Sequence, residues 1–362
     1  MARTGHKKLI EYLRAGDLAG VKAYLRDDPD AARSAQIVGE GGRLAWKPAL
    51  ELLLRNGADP NARFKGYRPL HSMIQERPHA QHDGGSAGRI SCLKWLLAKG
   101  ADPEQFGGWP STHAIITAAF VGEPAFIEEL RKAGAVVDGF VHAALGDIRR
   151  VERALAKDPA FAKARDPSGL TALHCAAGSR LGARSKKIRE ALVEIARLLL
   201  DHGADVNATV KSWDHDVDTV YFAVSSSQLQ FFELLLERGA DATAALPATV
   251  WRSDTEFAEL ALRHGARIND AVDDRRPLLN QMIRWGQIKP ALWLLDHGAN
   301  PNLADEQGWT ALHQAASRGN EQVFKAVLAA GGDAVRRDKD GNTPLDIARS
   351  KRRPKLVALL GG

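Results

Sequence analysis

Cysteine is nearly absent from this chain: Cys92 and Cys175 are the only two in 362 residues, and neither sits in a CxxC pair. That scarcity excludes a disulfide framework and a cysteine-built zinc site, and leaves two buried thiols as the expectation. Long apolar runs are missing too. Leu52-Leu53-Leu54 and Leu198-Leu199-Leu200 fall far short of the roughly 20 residues a membrane-spanning helix needs. The stretch Met1 to Lys8 is basic but no apolar segment follows it, so no secretory leader is expected and the expected location is cytoplasmic. No HExxH, no Walker loop and no dinucleotide fingerprint appears. Gly84-Gly85-Ser86-Ala87-Gly88 is glycine-rich but lacks the Lys-Ser/Thr of a phosphate loop, and reads as part of an insertion. A one-signed charge is lacking as well: 50 Lys and Arg face 44 Asp and Glu, for a formal +6. The even spread disfavours nucleic acid as a partner, and the basic clusters Arg180 to Arg189, Arg336-Arg337 and Arg349 to Lys355 read as solvated faces.

What the chain does have is repetition. A Leu-rich stretch ending in Gly-Ala recurs with its glycine at 57, 100, 134, 203, 239, 265 and 298, and as Gly331-Gly332 at the end. The intervals are 43, 34, 69, 36, 26, 33 and 33 residues. The long one is two units, with a degenerate copy around Lys157-Asp158-Pro159. A second phrase runs in phase with the first. Thr171-Ala172-Leu173-His174-Cys175-Ala176-Ala177 and Thr310-Ala311-Leu312-His313-Gln314-Ala315-Ala316 are nearly identical, and Arg68-Pro69-Leu70-His71 and Thr343-Pro344-Leu345 are variants. Thr supplies a helix N-cap, Pro suits the first helical position, and Gly suits a left-handed C-cap. The Ala-Ala pair allows close approach of neighbouring helices.

Two interlocked phrases at a period of about 33 closely resemble the ankyrin repeat, most sharply from Asn302 to Gly331. The resemblance implies an all-α solenoid of about nine helix-turn-helix units with short β-hairpin fingers, filling residues 1–362 as one domain. Within it, 1–47 is an irregular first unit, with Ser34 to Lys47 expected as a loop. Residues 77–89 and 178–189 are insertions, Asp241 to His264 is a shortened unit lacking a normal finger, and 333–362 is a capping repeat. It also implies structural roles for His71, His113, His174 and His313, which would bond backbone within and between repeats.

Candidate sites are few. Trp213-Asp214-His215-Asp216-Val217-Asp218 gathers three carboxylates and an imidazole that could hold a cation or act in acid–base chemistry. In repeat phase these residues fall at a finger and the start of a helix, where acids cap free amides. His79, His82 and Asp83 form a weaker metal candidate inside the first insertion. The ankyrin template places Tyr67, Trp109 and Trp309 at one finger position, Phe64, Phe106 and Trp213 near finger tips, and Trp251 and Trp285 at first-helix ends. All of them would line a concave groove. Arg68, Arg252, Asp273, Asp274, Arg275, Glu306 and Arg318 are their polar neighbours, whereas Trp95 and Trp293 are expected to pack between units. Exposed aromatics in register are the residues that carry binding hot spots. The expected function is therefore non-catalytic recognition of a protein or peptide by a monomer, without cofactor, metal or membrane. The alternative is an enzyme or small-molecule binder using Asp214, His215, Asp216 and Asp218.

Overall fold

A computed structural model describes residues 6–76, 85–212, 215–252, 255–273 and 275–361. The chain falls into two compact units, Met1–Phe231 and Phe232–Gly362. Both are built from helix pairs. The first holds α1 (Lys7–Ala15) with α2 (Leu18–Asp27), α3 (Ala35–Leu44) with α4 (Lys47–Arg55), and α5 (Pro69–Gln75) with α6 (Gly85–Ala98). There follow α7 (Ala114–Val121) with α8 (Pro124–Lys132), α9 (Gly139–Leu145) with α10 (Ile148–Lys157), α11 (Ala172–Gly178) with α12 (Lys186–Asp201), and then α13 (Thr219–Ser225). The boundary lies within α14 (Leu229–Glu237). The second unit holds α15 (Ala242–Trp251) and α16 (Thr255–Arg263), α17 (Leu278–Arg284) and α18 (Ile288–Asp296), α19 (Ala311–Arg318) and α20 (Glu321–Ala329), and α21 (Pro344–Ser350) and α22 (Pro354–Leu359). The described residues thus form eleven consecutive helix pairs rather than nine.

The periodic glycines explain where each pair ends. Gly57, Gly100, Gly134, Gly203, Gly239, Gly265, Gly298 and Gly331 all follow a second helix with φ between 83 and 92°, a region that costs a side chain bearing Cβ but not glycine. Two pairs end differently. After α2 and after α10 the chain runs through Asp28-Pro29 and Asp158-Pro159 into a 3-10 turn, which is what the degenerate copy at Lys157 to Pro159 becomes.

First helices stack on first helices within each unit: α3 on α5, α5 on α7, α9 on α11 and α11 on α13 in one, α17 on α19 and α19 on α21 in the other. The segment expected as an irregular loop, Ser34 to Lys47, is instead the first helix α3. Two of its glycines, Gly41 and Gly42, are there for contact. A Cβ on Gly42 would stand 2.6 Å from the Pro69 backbone, so only glycine lets α3 and α5 lie this close. The insertions are also shorter than expected. Residues 85–89 belong to the first turn of α6, where buried Arg89 donates to the carbonyls of Met73 and Arg43. The second insertion reduces to Ser179 to Ser185, after which Ser185 caps α12.

The motif histidines lock successive repeats. Thr171 donates its backbone N–H to His174 Nδ1 at 3.1 Å, so that nitrogen carries no proton, and Nε2–H points at the Ala208 carbonyl 2.9 Å away in the next repeat. His313 repeats the arrangement toward Asn342, and His71 reaches Thr112. Burial pushes His71 and His174 down to about 4, so both are held neutral. His113 does not share this role. It is the N-cap residue of α7, three positions before the place the motif histidine would occupy, and its ring packs 4.1 Å from that of Phe106. In the second unit Asn280 takes the histidine's place and donates to the carbonyls of Leu303 and Trp309.

Fingers are reduced to short hairpins or single bridges. Thr209–Ser212 pairs antiparallel with His215–Asp218, Val272–Asp273 pairs with Arg276–Pro277, and backbone bridges join Phe64 to Tyr67, Gly107 to Thr112 and Arg165 to Thr171. Among the described residues no strand or bridge directly precedes α9, which opens at Gly139 capped by Asp138, or α15, which opens at Ala242 capped by Asp241.

Candidate functional site

In the first unit α7 touches α11 as well as its stack neighbour α9. Arg180, just beyond α11, donates its backbone N–H to the Ala119 carbonyl at 2.9 Å, and its side chain packs over Gly122. A Glu123–Arg184 ion pair of 3.2 Å ties the same turn down. A pocket of about 190 Å3 opens here, walled by Trp109, Pro110, Phe120, Tyr221 and Phe222 and rimmed by Gln75, Arg180, Ser225 and Ser226. Trp109 and Tyr221 meet edge to face at 5.8 Å, and Phe120 and Phe222 lie 5.8 Å apart.

Each wall is held from behind. Asp218 accepts from Tyr221 N–H at 2.8 Å as the N-cap of α13. At the other end of α13, buried Gln228 donates to the carbonyls of Ala176, Ala177 and Ser179, which fixes that helix against the end of α11. Gln75 grips the Trp109 backbone by both its amide groups, accepting from N–H at 3.1 Å and donating to the carbonyl. Arg180 Nη2 donates to the Ser225 carbonyl at 2.7 Å. No acidic residue lines the pocket and one guanidinium does. It therefore suits an apolar or aromatic side chain.

The sequence had set Trp109 beside Tyr67 and Trp309 in one register. Tyr67 and Trp309 directly precede their helix caps Arg68 and Thr310, but Trp109 precedes its cap His113 by four residues, because the Gly107–Thr112 bridge closes a longer loop. Nor are these three fully exposed. Trp309 donates Nε1–H to buried Asp338 at 3.0 Å and stacks near His313, so it joins one repeat to the next. Arg68 likewise bridges fingers, donating to the carbonyls of Phe106 and Asn61. Phe64 and Tyr67 face each other across their own bridge, with Lys65 over the Phe64 ring at 5.6 Å.

In the second unit, Arg275 pairs with Glu306 at 3.3 Å on the surface, and the Arg252 guanidinium lies 5.6 Å from the Phe257 ring centre. Trp251 and Trp285 do stand exposed at first-helix ends, 4.8 Å apart, and Arg318 packs against Gly286 beside Trp285. Trp95 and Trp293 are half-buried, the latter stacked on His297 at 4.0 Å.

Of the carboxylate cluster, Asp218 is committed to the α13 cap and Asp216 lies 3.7 Å from Lys211 on the exposed hairpin. Trp213, Asp214 and Asp274, with His79, His82 and Asp83, lie outside the described residues, as do the side chains of His215 and Asp273. Among the described residues no group of three His, Cys, Asp or Glu could hold a metal ion, and no helix is long and apolar enough to cross a membrane. The letters Gly84 to Gly88 also spell the G-x-S-x-G of a nucleophile elbow. Ser86, however, stands exposed in the first turn of α6 with no described histidine bonded to it.

Tyr221, Phe120 and Arg180 were absent from the sequence-based site. No periodic letter marks them; they meet only where the ends of α7, α11 and α13 come together.

Comparison with known proteins adds the following. A family model described as ankyrin repeats in three copies matches residues 279–361, and one described as a single ankyrin repeat matches 168–211. An ankyrin repeat-containing protein of Schizosaccharomyces pombe is 45% identical over 62 residues, covering 17% of this chain and 30% of that protein. The mouse B-cell lymphoma 3 protein homolog is 29% identical over 175 residues, covering 44% of this chain and 38% of its own length. The match thus spans less than half the length of either relative. The crystal structure of the human ASB11 ankyrin repeat domain is 23% identical and covers 61% of this chain and 96% of that chain, with a TM-score of 0.47.

Proposed function

The chain is an ankyrin-repeat protein, a kind of repeat that generally mediates protein–protein interaction, and on that footing we propose that it binds a protein partner whose anchoring side chain enters the Trp109–Tyr221 pocket. The observation that carries this reading is the pocket itself: aromatic walls, each hydrogen-bonded or packed from behind. Its volume of about 190 Å3 is below the roughly 300–1,000 Å3 of sites that enclose free small molecules, and matches one side chain of a larger ligand. Tyr221 is 37% exposed, an aromatic left partly in water that an incoming side chain would cover.

The test is affinity capture on the immobilised full chain and on its Tyr221→Ala variant. Tyr221 is a surface ring, so the variant should melt within a few degrees of the parent. A partner held by the parent should bind the variant at least about tenfold more weakly, the effect of removing a hot spot. Equal retention by both chains would put the binding site elsewhere.

A further inference from the structure

The second unit carries two tryptophans in water. Trp251 ends α15 and is 45% exposed, Trp285 follows α17 and is 41% exposed, and their rings touch at 4.8 Å and 87°. Nothing in the repeat requires an indole here, since the equivalent residue one repeat on is Arg318. Burial would remove most of that apolar surface from water, so its exposure at two adjoining positions marks a contact surface.

The surface continues through basic residues. Arg318 Nη2 would lie 3.0 Å from a Cβ on Gly286, directly after Trp285, and the Arg353 guanidinium packs in the same way over Gly319 and donates to the Ser317 carbonyl. A strip thus runs along successive helix-end turns from Trp251 through Trp285 and Arg318 to Arg353. Arg284 and Lys351 are exposed in the same turns. Among the described residues Arg284, Arg318 and Lys351 enter no ion pair, whereas Glu321, the acid nearest Arg318 in sequence, is taken by Lys325 at 2.6 Å. Cations without acids beside them raise the local potential and await an anionic partner.

We infer that this strip is a second binding surface, for an acidic protein segment that lays an apolar side chain against Trp251 and Trp285 and its carboxylates along Arg318 and its neighbours. Arginine beside tryptophan is the pairing that hot spots favour, and charge complementarity selects an acidic occupant. Single-stranded nucleic acid fits less well. Successive bases need parallel stacking faces, and these two rings stand perpendicular. The inference does not depend on the Trp109–Tyr221 pocket.

The experiment selects a displayed library of random dodecapeptides on the full chain and measures the affinity of the recovered pool for the parent and for Trp285→Ala, Arg318→Glu and Tyr221→Ala. The expected pool is rich in Asp and Glu with at least one aromatic or aliphatic residue. It should bind about tenfold or more weakly to Trp285→Ala and to Arg318→Glu, and more weakly to the parent as salt rises. Should Trp285→Ala unfold, the Arg318→Glu change at an exposed residue carries the test, with its melting temperature measured alongside. A pool that is not acidic, no enrichment at all, or indifference to Arg318→Glu overturns the inference. So does a twelve-residue oligothymidylate that displaces the pool and loses affinity for Arg318→Glu. Weakening by Tyr221→Ala reports on the first pocket alone, so failure of one surface is distinguishable from failure of the other.

Discussion

Acid should weaken the first unit before its carboxylates begin to titrate. His71 and His174 sit at about 4 in the folded chain because burial disfavours their charged form, whereas an unfolded imidazole titrates near 6.5. Above about pH 6.5 both states are neutral and the full stability is present. As pH falls from there toward 4, the unfolded chain takes up protons that the folded chain refuses, and stability is lost progressively; below 4 the loss levels off. Between pH 7.5 and 5 each histidine should cost about 2 kcal/mol, and the pair about 4. To accept a proton at Nδ1, His174 would have to give up the N–H it accepts from Thr171, while its Nε2–H bond to Ala208 persists; His71 would have to take the proton on a buried Nδ1 with no acceptor facing it. Urea unfolding followed by circular dichroism at intervals between pH 7.5 and 5 reads this loss directly. Asp166, whose carboxyl burial pushes up, works in the opposite direction. The decisive comparison is therefore His174→Gln, which should be less stable at pH 7.5 but lose about 2 kcal/mol less on acidification. A parent whose stability is flat over that range, or a variant that falls as steeply, would refute the buried neutral imidazoles.

Leu173→Ala, at a fully buried position of α11, should cost about 2–5 kcal/mol in urea unfolding through lost contacts and a cavity. Gly42→Ala should also destabilise, by roughly 1–3 kcal/mol or more, although alanine is the better helix former. The added methyl would meet the Pro69 backbone at 2.6 Å, so a neutral or stabilising result would mean that α3 and α5 are not so close. Trp309→Ala should lower stability by about 1–2 kcal/mol, because Asp338 loses its indole donor, while Trp251→Ala should leave the urea midpoint nearly unchanged. Equal effects of the two would contradict the division between a packed and an exposed tryptophan.

The period was legible because glycine serves one task at every repeat, the left-handed turn after a second helix. The capping phrases were legible for a similar reason, since Thr171, Thr310 and Thr343 all cap their helices with the residue three positions on. Where a different chemistry did the same work, the sequence misled. Gly39, Gly41 and Gly42 look like a loop and are a helix, because at Gly41 and Gly42 close packing calls for the same residue that flexibility does. Asp28-Pro29 ends a pair as well as Gly-Ala does, through a 3-10 turn, so the count of units came out low. The register of Trp109 was lost because the loop between Gly107 and Thr112 is longer than in other fingers. Tyr221 was hidden in the apolar run Thr219 to Val224, where Val220 and Phe222 point inward and only the three-dimensional convergence of α7, α11 and α13 shows which ring is left in water.

The central claim, a protein partner anchored at the Trp109–Tyr221 pocket, is tested most directly by amide hydrogen exchange of the full chain with and without its captured partner. Binding should slow exchange in residues 107–112 and 219–226, the two walls of the pocket, and Tyr221→Ala should abolish that protection at the same partner concentration. Protection confined to other segments, with 107–112 and 219–226 exchanging as in the free chain, would contradict it.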